Sequence, residues 1–178
     1  MDPELVWGGA AVACTAVAAG WDLKTRRIPN WVSGSGLAVG LLLHLLLRGW
    51  ADAGWALLAA LMGGAVFFVF HLAGGMGAGD VKLMAAVGAL AGWPHLFPIL
   101  FVTAILGGLM GLVVALLHGR GKETLRNILT LGMHHSLAGL HPHPEFNIAN
   151  PRALRLPYGV AIAAGTAVVF VGLLAGRG

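Results

Sequence analysis

Apolar residues run through this chain in blocks far wider than the stripe of an amphipathic helix. Such blocks fall at about 4–21, 31–47, 54–73 and 157–175. Each is near the roughly 20 residues a helix needs to cross about 30 Å of hydrocarbon at 1.5 Å per residue. From Leu83 to Leu117 there is no Asp, Glu, Lys or Arg, and that stretch is too long for one crossing. It is divided by "GWPHLFP", Gly92 to Pro98, where Pro94 and Pro98 lack the amide proton a continuing helix requires and crowd the preceding turn. The pattern therefore predicts six spans, at about 4–21, 31–47, 54–73, 80–92, 95–117 and 157–175, with an inner loop at 118–156 between the fifth and sixth. In that loop Leu125, Ile128, Leu129 and Met133 recur near helical spacing, as in an amphipathic helix lying on the inner face. The expected fold is all-α, a polytopic membrane helix bundle forming one domain over residues 1–178.

Composition supports the bilayer as solvent. The chain is 58% hydrophobic and 10% charged, against about 25% charged for an ordinary soluble domain. A net charge of +4 raises the question of nucleic acid, but the basic residues form no dense run with interleaved aromatics, so no nucleic-acid partner is expected. Their placement follows the spans instead. With the N-terminus outside, Lys24, Arg26, Arg27, Lys82, Arg120, Lys122, Arg126, Arg152 and Arg155 all fall on the inner side, and only Arg48 and Arg177 on the outer. This asymmetry orients the protein by the positive-inside rule, with the N-terminus outside. The tryptophans Trp7, Trp21, Trp31, Trp50, Trp55 and Trp93 lie near span ends, as in an interfacial belt. The acidic start "MDPELVW" is unlike the positive start of a cleaved signal peptide, so the first span reads as a retained anchor. The single cysteine, Cys14, excludes an internal disulfide and a CxxC zinc site. His134, His135, His141 and His143 form no HExxH motif, and neither a metal nor a cofactor is expected.

Of the seven acids, Asp22 and Asp80 are the two at the inner ends of spans, the first and the fourth. Only about a dozen residues separate Val81 from Trp93, roughly 18–20 Å of helix. For the fourth span to cross, Asp80 and part of the preceding glycine loop must lie within the inner leaflet, in a hydrated notch. Taken singly, each has an ordinary reading. Asp22 fits a span end paired with Lys24 or Arg26, and Asp80 fits a helix N-cap. Together they have a sharper one. Two carboxylates brought close in a poorly solvated site cannot both ionise cheaply, so they share a proton. One is then a base toward water and the other an acid toward a leaving amine. Gly74, Gly75, Gly77 and Gly79 would let an extended peptide approach, although small residues are also common where membrane helices pack. Lys82 fits either a partner that keeps an aspartate ionised and orients substrate, or a lysine snorkelling to headgroups. Asn30 fits a cap of the second helix after Pro29.

"GAGDVKLMAAVGALAGW" resembles the GxGD signature of the type IV prepilin peptidases, integral membrane aspartic proteases, with Gly77, Gly79 and Asp80 as its defining residues and Lys82 also in place. "DLKTRRIPN", Asp22 to Asn30, resembles the first aspartate motif of the same family. "LPYGVAIAAG" is similar to the Pro-aromatic-Gly start of its final helix, with Pro157 in the proline position and Val160 where the family often has a further proline. The resemblance implies that Asp22 and Asp80 are catalytic, that Gly77, Gly79, Lys82 and Pro157 support the site, and that the substrate is the basic leader of a prepilin or pseudopilin, cut just after a glycine on the cytoplasmic face. It also implies a place in the inner (cytoplasmic) membrane of a prokaryote, with membrane lipid and pilus or secretion machinery as partners. Lacking the cysteine-rich insertion of the long members, the chain looks like the short, peptidase-only kind associated with tight-adherence or Flp pili, without N-methyltransferase activity. Two other classes compete: a proton-coupled transporter or channel component using the aspartates as a relay, and a non-catalytic assembly factor of a pilus or secretion machine.

Overall fold

The computed structural model describes residues 3–119, 126–127, 130, 133, 139 and 156–176. Every regular element named for these residues is an α-helix: α1 (Pro3–Thr25), α2 (Asn30–Arg48), α3 (Trp50–Leu72), α4 (Ala78–Leu117) and α5 (Tyr158–Ala175). All five are long and apolar enough to cross a membrane. Most of the expected amphipathic helix at 118–156 and all of the histidines at 134–143 lie outside the described residues.

The 40-residue α4 is interrupted where "GWPHLFP" begins. Gly92 has φ 73° and ψ 174°, a conformation open to glycine and strained for residues with a side chain. The break leaves a first arm, 78–91, and a second, 93–117. Pro98 sits in the second arm without a recorded break, so the stop comes from Gly92 followed closely by Pro94, and not from proline alone. The helix also starts at Ala78, two residues ahead of the expected span.

α4 packs against each of the other four helices, with α2 and α3 adjacent to one another and α1 set beside α2 and α5. In the first arm every residue from Leu83 to Ala91 except Ala85 is buried, as expected of a helix apolar on all sides and placed at the centre. Small residues bring the backbones together. A Cβ on Gly40 would lie 2.6 Å from the Ala89 carbonyl carbon, one on Gly63 3.0 Å from the Met84 carbonyl oxygen, and Gly88 meets Ala59 more closely still. Where lipid is as apolar as leucine, such close van der Waals packing drives helix association. Many other large apolar side chains, including Leu46, Leu61, Phe101, Leu116 and Val171, are exposed on the outside of the bundle.

Candidate active site

α1 carries Asp22 to one end of the bundle, where the helix stops. Arg26, at φ 53°, occupies the left-handed position of a helix C-terminus and its amide donates to the Asp22 carbonyl at 2.8 Å. The following segment then reverses direction through Ile28 and Pro29 into α2. α3 ends at the same level, and its return to α4 is the glycine loop. Gly74 takes φ 79°, the one glycine of that loop in the left-handed region. His71 Nδ1 donates to the Met76 carbonyl at 2.8 Å, tying the loop to the end of α3.

Asp80 is the third residue of α4, with Gly77 at the N-cap. Its Oδ2 reaches back to accept the Gly77 amide at 3.1 Å, so it satisfies an otherwise orphan donor from inside the first turn rather than as the cap residue. Asp22, 6% exposed, is held similarly from another direction: its Oδ2 accepts the Gly159 amide at 2.9 Å, at the start of α5. Asp22 near the end of α1 and Asp80 at the start of α4, 58 positions apart in sequence, thus share one end of the bundle.

The supporting residues fall around this pair. Pro157 is the N-cap of α5 and places Gly159 in the first turn, where its amide has no partner within the helix. A Cβ on Gly159 would lie 3.0 Å from Asp22 Oδ2 and 3.1 Å from Asp22 Cβ. Gly79 makes room for the α1–α2 connection, since a Cβ there would lie 3.2 Å from Ile28 Cβ. Lys82 is directed to neither aspartate: its Nζ donates to Asn30 Oδ1 at 2.9 Å, joining α4 to the start of α2. Asn30 accordingly is the first residue of α2, with Pro29 at the N-cap and no side-chain cap bond. Sequence reasoning missed Gly159, His71 and Tyr158. Gly159 stood in the quoted "LPYG" motif, but only the fold shows that its amide meets Asp22. The Tyr158 ring rests on Gly107 of the second α4 arm, where a Cβ would lie 2.9 Å from Cε1. Among the described residues no cluster of three or more His, Cys, Asp or Glu side chains is suited to a metal ion.

Long apolar helices around a buried central arm, with two carboxylates at one end, define an all-α polytopic membrane helix bundle. The chain belongs to the type IV leader peptidase family, whose model matches residues 10–112, a span that includes both aspartates. It is 35% identical to the prepilin leader peptidase/N-methyltransferase of Aeromonas hydrophila over 109 residues, 57% of this chain and 37% of that protein. Leader peptidase HopD of Escherichia coli is 34% identical over 128 residues, 67% of this chain and 79% of HopD. HopD of Salmonella typhimurium is 35% identical over 125 residues, with the same coverage. The chain therefore spans 37% of the length of its Aeromonas relative but most of HopD. No solved structure matches.

Proposed function

We propose that this protein is an intramembrane aspartic endopeptidase that removes the basic leader of a prepilin or pseudopilin at the cytoplasmic face of the inner membrane. The observation that carries the reading is that Asp22 and Asp80 lie at one end of the bundle, each with Oδ2 held by a glycine amide. Among the described residues Oδ1 of neither carboxylate accepts a hydrogen bond, which leaves an oxygen of each for water and substrate. The ionised member takes a proton from water as the water oxygen bonds to the scissile carbonyl carbon. The protonated member then gives its proton to the amide nitrogen as the C–N bond breaks, and the pair has exchanged roles. Lys82 and Asn30 fasten the two aspartate-bearing segments together, and Pro157 with Gly159 orients Asp22.

The prepilin substrate is supported by family membership and by the names of the relatives; the cytoplasmic side is supported by the basic residues gathered at the Asp22 end. In this orientation the two arms of α4 cross separately, giving six spans within one membrane domain, with 118–156 inside the cell. Peptidase activity without N-methylation is supported by the single cysteine and by the extent of the HopD match. Co-expression with a leader-bearing pilin in membranes tests the reading. Wild type should shorten the pilin by its leader, and Asp22→Asn and Asp80→Asn should each abolish that shift while the protein still inserts. Full processing by both variants would refute the assignment.

A further inference from the structure

The opposite end of the bundle holds a second polar cluster, which the proteolytic reading does not use. His44 of α2 is 3% exposed. Its Nδ1 lies 2.7 Å from Asp52 Oδ2 of α3, and its Nε2 lies 3.4 Å from the Leu90 carbonyl at the end of the first α4 arm. That carbonyl is not an arbitrary acceptor. Its helical donor would be the amide of residue 94, and Pro94 has none. The next carbonyl, Ala91, is met by His95 Nδ1 at 3.0 Å. Two carbonyls beside the Gly92 break are thus each faced by a histidine nitrogen, in a part of the chain where an unsatisfied carbonyl is costly.

A carbonyl only accepts, so Nε2 carries a proton. The short contact to Asp52 requires another proton, on Nδ1 or on the carboxyl. The other charged and titratable groups around the site are Glu4 of α1, Arg48 of α2 and His95 of α4; together with Trp7, His44 and Asp52 they line a cavity of about 270 Å³. Trp7 stacks on His44 at 4.1 Å, Arg48 lies 4.8 Å from the Trp7 ring, and Glu4 lies 4.0 Å from Arg48. His44 therefore joins α1, α2, α3 and α4 at the point where α4 breaks.

We propose that His44 and Asp52 form a positioning pair that fixes the Gly92 break and, through the rigid first arm, the depth at which Asp80 is presented. Glycine-to-backbone contacts hold that arm close to α2 and α3 but have little directionality along the axis. A hydrogen bond to the last carbonyl does have direction. The arm runs 14 residues from Ala78 to Ala91, about 21 Å, so its far end moves with the break. The inference rests on the proposed catalytic role of Asp80, and it has a readout that does not.

Spin labels at Leu23→Cys and Ala78→Cys, both exposed at the Asp22 end, in a Cys14→Ala background, report the offset between α1 and the first arm in the full chain in liposomes. His44→Ala, Asp52→Asn and Gly92→Ala should each broaden or shift that distance by roughly 1.5–5 Å, one to a few residues of rise. Gly92→Ala belongs to the set because its Cβ would meet His44 Cε1 at 2.9 Å and its φ disfavours alanine. In the unlabelled variants kcat for leader cleavage should fall about tenfold with KM little changed, as expected of a misplaced catalytic group. A merely structural role would lower thermal stability without moving the distance in the folded fraction. Asp52→Asn, which keeps the side-chain shape, decides the matter if His44→Ala fails to fold. An unchanged distance in the folded variants, or a shifted distance with unchanged kcat, overturns the proposal. A shifted distance in a protein that cleaves no leader overturns the protease reading and leaves the structural half of the inference standing.

Discussion

Asp22 and Asp80 are both held by glycine amides, and this use of main-chain donors leaves little room for side-chain variation. Gly159 illustrates the constraint, because an added methyl group keeps the amide but presses on the carboxylate it orients. Gly159→Ala should therefore lower kcat for leader cleavage by about tenfold, the scale of a small misplacement of a catalytic group. Circular dichroism should show an intact helical fold. Asp22 and Asp80 themselves were legible in the sequence, as the two acids left at span ends facing one side. Gly77 was legible as a motif residue, but the Gly159 amide as the partner of Asp22 was not, because an amide's direction depends on where its helix begins. Lys82 was legible as a residue of interest and misleading as to its contact: an ammonium two residues from Asp80 suggests an ion pair, whereas the tertiary structure brings Asn30 within 2.9 Å.

Helix packing here depends on missing side chains. Gly88 sits against the Ala59 carbonyl and Gly40 against the Ala89 backbone, so neither position has room for a methyl without separating the helices. Gly88→Ala should destabilise the bundle by about 1–3 kcal/mol, the usual cost of overpacking a filled interior. A lowered midpoint of thermal unfolding in detergent would register it. Gly9, Gly20 and Gly34 meet nothing within 4 Å and should accept alanine with little change in that midpoint. The sequence offered no way to tell these two groups apart, since both read as small residues in apolar runs. The contact between Lys82 and Asn30 operates between elements too. Lys82→Met should slow cleavage while leaving unfolding nearly unchanged, because the bond it removes is exposed.

Across the whole molecule, the acid pair and the His44 cluster occupy opposite ends of the same central arm. With the acid end facing the cytoplasm, a Cys14→Ser protein carrying Gly49→Cys should react with a membrane-impermeant maleimide added to spheroplasts, and one carrying Lys24→Cys should react only after lysis. The reverse pattern would contradict the orientation read from the basic residues. Such opposed labelling is expected because Lys24 lies in the last turn of α1, beside the start of α2, and Gly49 caps the far end of α2.

The sequence by itself determined the class of fold and singled out Asp22 and Asp80 as candidates, because span length and the scarcity of ionisable groups are local properties of the chain. It also located the interruption of α4 within "GWPHLFP", since glycine and proline act on their own backbone. Only the tertiary structure decided which donors meet the carboxylates, why Gly79 must be small against Ile28, and that His44 faces the carbonyl left without a donor by Pro94. Those features depend on contacts between segments dozens of residues apart, and such contacts are set by how helices pack rather than by any pattern within one of them.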